Sequence, residues 1–91
     1  MYIRWTPAAA DNFEHIKNYL SERHPQFVQS TVLAVYEAIR SLKTYPQRGR
    51  PGREEGTREL VLSRLPYIVA YRIKEETIEI LYIHHGAQNR P

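Results

Sequence analysis

Hydrophobic spacing divides the chain into a helical first half and a strand-like second half. Tyr2-Ile3-Arg4-Trp5 is a short run of aromatic and branched residues, which predicts a strand. Thr6-Pro7 follows and predicts a helix start, because threonine caps well and proline at the first helical position forfeits no hydrogen bond. Ala9, Phe13, Ile16 and Leu20 then recur at steps of four, three and four, placing them on one helical face. Ser21 to Pro25 breaks this helix, since a residue before proline avoids the helical region. A second helix begins at about Pro25 and carries the most regular stripe in the chain: Val28, Val32, Val35, Ile39 and Leu42, with Leu33 and Tyr36 beside it. Tyr45-Pro46 ends it, so the pattern predicts two antiparallel helices joined by a few residues.

Both apolar stripes need a partner, and the remaining apolar surface lies downstream. Gln47 to Gly56 reads as a loop holding three of the four glycines and five charges. Thr57 to Ser63 reads as a strand with Leu60 and Leu62 on one side and Val61 on the other. After a connector at Leu65-Pro66, a strand from Tyr67 to Ile73 puts Tyr67, Val69, Tyr71 and Ile73 on one face. Lys74, Glu75 and Glu76 form a polar turn before the last strand, Thr77 to His84, which Gly86 ends. There Ile78, Ile80 and Tyr82 face one way and Leu81 and Ile83 the other; apolar residues on both faces predict an interior strand. The fold class is therefore α+β in the order β-α-α-β-β-β, a helical hairpin packed on a mainly antiparallel four-stranded sheet.

Composition narrows the class of protein. A chain of 91 residues supports one hydrophobic core, so residues 1–91 form a single domain. With no cysteine there is neither a disulfide framework nor a thiolate metal site. No apolar run has the length of a membrane span and no signal-peptide pattern opens the chain, which makes a cytoplasmic location the default expectation. The basic residues are ten arginines and three lysines, and the sequence pI is 9.4. Arginine's planar fork suits carboxylates and phosphates, so the excess points to an acidic partner, either nucleic acid or an acidic protein segment. Arg48, Arg50, Arg53, Arg58 and Arg64 cluster in one stretch, which favours binding over a merely solvated surface.

Candidate chemistry concentrates in the last forty or so residues. His84 and His85 are neighbours on a strand and point to opposite faces, so they do not share a metal ion. Each could still act as an acid or base at the strand end, or serve only as a packed and a surface histidine. Arg58, Arg64 and Arg72 lie on or between adjacent strands and could form a cationic field, or simply pair with Glu54, Glu55, Glu59 and Glu79. Exposed pairs of that kind contribute only about 0–1 kcal/mol. Arg58 shares a strand face with Leu60 and Leu62, which argues for a specific role. The glycines match no phosphate-binding fingerprint and serve turns. The seven tyrosines, Tyr67, Tyr71 and Tyr82 among them, read mostly as core and sheet packing, and no nucleophile elbow surrounds a serine.

Taken together, Gly49-Arg50, Gly52-Arg53, Gly56-Thr57-Arg58-Glu59-Leu60, Pro66-Tyr67-Ile68-Val69-Ala70-Tyr71-Arg72 and His85-Gly86-Ala87-Gln88 resemble the RelE/ParE toxins of bacterial type II toxin–antitoxin systems. The N-terminal strand and helical hairpin extend the resemblance over the whole chain. It implies a small cytoplasmic toxin that inhibits growth, serves plasmid stabilisation, and needs no cofactor or metal. It also implies an acidic, ParD- or RelB-like antitoxin whose C-terminal segment wraps the toxin and whose N-terminal domain binds operator DNA, so that the toxin reaches DNA only through it. An apolar helix face left bare without antitoxin would favour a homodimer.

The resemblance offers two targets. The RelE-like branch cuts messenger RNA in the ribosome; the ParE-like branch acts on DNA gyrase. Where the nuclease branch carries basic residues, this chain has Glu59, Val61 and Ile68, and near its C-terminal arginine position stands Gln88. That pattern favours the ParE-like branch, inhibition by binding, with Arg58, Arg64, Tyr67, Arg72, His85, Gln88 and Arg90 as the residues for toxicity and target contact. The segment Tyr82 to Pro91 belongs to that surface. The alternative is a ribosome-dependent endoribonuclease with His84 or His85 as base and Arg58 or Arg72 as phosphate clamp. A stand-alone nucleic-acid-binding module is a third reading, suggested by the pI alone.

Overall fold

The computed structural model describes residues 1–86. Thr6 separates the first strand, β1 (Tyr2–Trp5), from the first helix, α1 (Pro7–Arg23). Its hydroxyl oxygen accepts a hydrogen bond from the Ala9 N–H at 3.1 Å, and proline occupies the first helical position. α1 continues through Ser21 to Arg23 and yields only at His24, the residue before proline, whose φ of −146° and ψ of 62° leave the helical region. A single 3₁₀ turn at Pro25–Phe27 then leads into α2 (Val28–Ser41), so the second helix proper begins after Pro25 rather than at it.

The remaining strands are β2 (Arg50–Pro51), β3 (Thr57–Val61), β4 (Tyr67–Lys74) and β5 (Thr77–His85). They form a five-stranded sheet in the order β1-β5-β4-β3-β2, one strand more than the pattern predicts. The additional strand lies inside the Gln47–Gly56 segment, where Arg50 pairs with Glu59 and Pro51 with Arg58. Two residues give no periodicity to detect, and a proline there is acceptable because β2 is an edge. β1 runs parallel to β5, with Ile3 beside Ile78 and Arg4 beside Glu79; the other pairings are antiparallel. β5 is an interior strand, as its apolar composition predicts.

One irregularity in β5 corrects the expected facing of its residues. Tyr71 pairs with Ile80 while Ala70 pairs with Tyr82, so Leu81 is an extra residue on β5. The bulge reverses the alternation beyond it. Ile78, Ile80 and Ile83 all bury against the core, whereas Tyr82, predicted to share the face of Ile78 and Ile80, is 54% exposed on the other side.

Ala9 and Phe13 of α1 and Val35, Ile39 and Leu42 around α2 pack on Leu60, Val69, Tyr71, Ile78, Ile80 and Ile83 of the sheet. Leu33 and Tyr36, beside the α2 stripe, stay outside, although the Tyr36 ring still meets Phe13 edge-on with centroids 5.4 Å apart. Of the seven tyrosines Tyr67 and Tyr71 are buried in the core, and Tyr2 and Tyr82 lie on the sheet but exposed.

Tyr71 fastens the α2–β2 connection to the sheet. Its hydroxyl donates to the Pro46 carbonyl at 2.7 Å and accepts from the Gly49 N–H at 2.9 Å. Gly49 must be glycine for this approach, since a Cβ there would stand 2.8 Å from the Tyr71 hydroxyl and 2.9 Å from the Glu59 carbonyl. Arg58 adds to the clasp, donating to the Gly49 carbonyl at 2.7 Å and the Gln47 carbonyl at 3.3 Å. Replacing Tyr71 with phenylalanine strands a buried N–H and a carbonyl together, so denaturant unfolding should show a loss of about 1–3 kcal/mol. An unchanged midpoint would mean that the hydroxyl does not hold the connection.

Candidate functional site

The sheet face turned away from the helices carries the charged residues. Strand partners share a face, so Arg4, Glu79, Arg72 and Thr57 form one row across β1, β5, β4 and β3. A second row runs Tyr82, Ala70, Glu59, Arg50. Both glutamates are nearly inaccessible, with side chains 8% exposed, while the arginines above them remain in water. Glu79 receives the Arg72 Nε at 2.6 Å on one oxygen and the Arg4 guanidinium on the other. Glu59 receives Arg50 through Nε at 3.2 Å and Nη2 at 3.0 Å. A buried carboxylate survives only when paired in this way. The hydrogen bond from Arg72, ahead of the charges of Arg72, Arg4 and Lys74, holds the Glu79 carboxyl below its ordinary range despite the opposing effect of burial.

A different surface forms where β1 stops short. Beyond Trp5 no strand covers the β5 edge, and side chains replace the missing ladder. The Thr6 N–H donates to the Ile80 carbonyl at 3.0 Å; its hydroxyl lies 2.9 Å from that carbonyl and 3.0 Å from that of Leu81. The Asn12 Oδ1, from α1, accepts from the Ile83 N–H at 3.0 Å. An open groove of about 1080 Å³ follows, lined by Asn12, His15, Ile16 and Tyr19 of α1, by His24, by Tyr67 and Leu81 to His85 of the sheet, and, where it continues onto the polar face, by Arg53, Glu54, Thr57, Glu59, Pro66 and Ala70. All four histidines of the chain therefore line one groove. His85 meets the buried Tyr67 ring edge-on at 5.9 Å, and burial, with the neighbouring Tyr19, raises the Tyr67 phenol above its usual value. Tyr67 is thus a donor and a packing group at neutral pH, not a base. Apolar walls with imidazole and phenol groups along the rim suit a binding surface for an amphipathic segment.

These elements match known proteins along nearly their full length. The family model for the ParE toxin of the type II toxin–antitoxin system parDE matches residues 3–90. The chain belongs to that family. Toxin Y4kP of Sinorhizobium fredii is 40% identical over 89 residues, spanning 98% of this chain and 92% of that protein. Toxin RelE2 of Caulobacter vibrioides is 32% identical over 86 residues, 94% of this chain and 96% of that one. Among solved structures, the chromosomal ParDE system from P. aeruginosa contains a chain that superposes with a TM-score of 0.82 at 30% identity, covering 93% of this chain and 95% of that chain. The RelBE2 toxin–antitoxin complex from Mycobacterium tuberculosis gives 0.55 at 27% identity, covering 92% and 95%. The fuller overlap with the ParDE chain agrees with the ParE-like branch.

Within this ParE-family toxin the residues singled out from sequence do not converge. Arg58 lies on the helix side of the sheet and is spent on loop carbonyls, whereas Arg72 projects from the opposite face. Arg64 occupies the β3–β4 turn with φ of 67°, an exposed left-handed position remote from that row. His84 and His85 stand on opposite faces, His84 opposite Ile68 and His85 opposite Tyr67, which brings only Tyr67 and His85 together. Gln88, Arg90 and most of the C-terminal tail lie outside the described residues. Sequence reasoning overlooked Arg4 and Arg50 as partners of the buried glutamates. The signal was present in the strand alternation of Arg4, Arg72 and Glu79, all out of phase with their apolar neighbours. Nothing local marked Asn12, whose bond to Ile83 spans most of the chain.

A carboxyl whose native value is depressed stabilises the fold fully above its unfolded value and loses that contribution as pH falls through the native one. Glu79→Gln should therefore cost most at neutral pH, and the gap to the parent protein in thermal unfolding should close below about pH 4. A gap independent of pH would assign Glu79 a purely steric role.

Proposed function

We propose that this toxin arrests growth by binding and poisoning DNA gyrase in the cytoplasm, without chemistry of its own, and that an acidic cognate antitoxin neutralises it. The observation that carries the reading is the state of the positions where the nuclease branch is basic. Ile68 is buried at 7% exposure, Val61 is apolar, and the Glu59 carboxylate is sealed beneath Arg50. None of these can hold a scissile phosphate. Each positioned charge-stabilising donor is worth about 3–4 kcal/mol to a transition state, so their joint loss leaves little catalysis. Arg58 and Arg72 stand on opposite faces, as do His84 and His85, so His84 shares the polar face with Arg72 and His85 the helix side with Arg58, and no face holds all four.

The histidine-lined groove beside α1 supplies the antitoxin's seat in this reading. Its walls are apolar and the chain is basic, which suits an acidic segment that folds as it binds. The P. aeruginosa and M. tuberculosis relatives, solved as toxin–antitoxin systems, support a partner of this kind.

Purified toxin at a stoichiometric ratio should block supercoiling by gyrase and leave ribosome-bound messages uncut, and the product of the adjacent antitoxin gene should restore supercoiling. Normal supercoiling together with cleavage of messages in translating ribosomes would replace the gyrase reading with the nuclease one.

A further inference from the structure

The α2–β2 connection is held more firmly than a connector needs. Tyr45 to Arg48 closes a β-turn: the Arg48 N–H donates to the Tyr45 carbonyl at 3.1 Å, and Pro46 takes the first central position, where its fixed φ suits the turn. The carbonyls of both central residues are tied to the sheet. That of Pro46 accepts from the Tyr71 hydroxyl and that of Gln47 from Arg58, while Gly49 is gripped by both. Arg48 is oriented too. Its Nη1 donates to the Ser41 hydroxyl at 2.7 Å, and that hydroxyl donates to the Ala38 carbonyl at 2.6 Å.

What this fastening presents to water is a ring and a cation. Tyr45 is 64% exposed, and among the described residues its ring meets no other ring and its hydroxyl has no hydrogen-bond partner. Arg48 is exposed beside it, since the turn brings the two Cα atoms within about 7 Å. Arg40 and Lys43, at the end of α2 and just beyond it, are exposed as well. Among the described residues no carboxylate pairs with any of these three cations. Neither Tyr45 nor Arg48 lines the groove beside α1, and the turn leads into β2, at the sheet edge opposite β1.

We propose that this turn is the toxin's contact with its target, Tyr45 entering an apolar pocket of an acidic protein surface while Arg48 meets a carboxylate at the pocket's rim. Tyrosine and arginine are among the side chains that carry most of the binding energy at protein interfaces. A turn already immobilised presents them at little further ordering cost. A nucleic acid is the poorer fit, because a backbone calls for cations in a row and one ring offers one stacking place. This contact rests on the reading of inhibition by binding, under which the acidic protein is gyrase. Arg58 and Tyr71 become positioning residues, holding the turn without touching the partner.

Induction of the Tyr45→Ala and Arg48→Gln toxins in cells without antitoxin tests the site, and a supercoiling titration with the purified proteins tests the partner. The parent chain should arrest growth. Each substitution should relieve the arrest and raise the half-inhibitory concentration against gyrase about 30-fold, the effect of losing a principal interface side chain. Tyr2→Ala, which removes a still more exposed ring from the opposite sheet edge, should leave both readings unchanged. All variants should unfold at the parent midpoint and co-purify with the antitoxin, because both turn side chains are exposed and neither lines the groove. Arrest undiminished by either turn substitution, relief matched by Tyr2→Ala, or antitoxin capture lost along with toxicity would overturn the proposal. Growth arrest by the parent with normal supercoiling would remove gyrase alone, and relief by the turn variants would then assign the same contact to another protein. A parent chain that does not arrest growth would overturn both.

Discussion

A single extra residue in β5 organises this fold. Leu81 interrupts the pairing with β4, and everything beyond it changes side. Without the bulge Ile83 would leave the core and Tyr82 would enter it, because side chains alternate strictly along a regular strand. With it, three isoleucines of one strand face the helices, the next ring is released to water, and the two terminal histidines take up their opposed positions. The bulge also falls where β1 ends, so Thr6 can bond to the carbonyls on either side of it and Asn12 can reach the following amide. The groove beside α1 exists because the ladder ends there and side chains continue it.

The electrostatics follow a second constraint, that of placing acids under bases. Glu59 and Glu79 lie on the polar face yet are almost fully covered, each by the arginines of neighbouring strands. A sheet face built from such pairs shows guanidinium to the solvent and hides carboxylate. This concentrates positive potential outward without a comparable excess of charge in the chain as a whole. It also explains why the excess of arginine is visible in the composition while the carboxylate each arginine covers is not, since those pairs join different strands.

Much of the architecture was legible because its elements obey simple periods. The α2 stripe, the Thr6-Pro7 start of α1, the face shared by Tyr67, Val69 and Tyr71, and the interior place of β5 all follow from spacing and capping chemistry. The parts that escaped are those fixed by contacts distant in sequence. β2 is too short to carry a pattern, and only its pairing with Glu59 and Arg58 makes it a strand. The bulge has no local signature, since Leu81 is as good a strand residue as its neighbours. Arg58, marked out by its place beside Leu60, donates to the Gly49 and Gln47 carbonyls, a pair of contacts that no local pattern announces. The family resemblance held over nearly the whole chain because its motifs mark turns and strand partners, such as Gly49 against Tyr71, that the fold itself demands.

The parallel pairing of β1 with β5 ties the first residues of the chain to nearly the last. Arg4 and Glu79, Thr6 and Ile80, and Asn12 and Ile83 are each separated by more than seventy residues. Contacts so far apart must close the largest loop the molecule can make, and they close late. During synthesis the helical hairpin emerges before the β4–β5 pair at the heart of the sheet, and β5 is the last of the strands to be made. A nascent copy therefore lacks its core, its groove and its cationic face alike, and all three arrive together with the final strand.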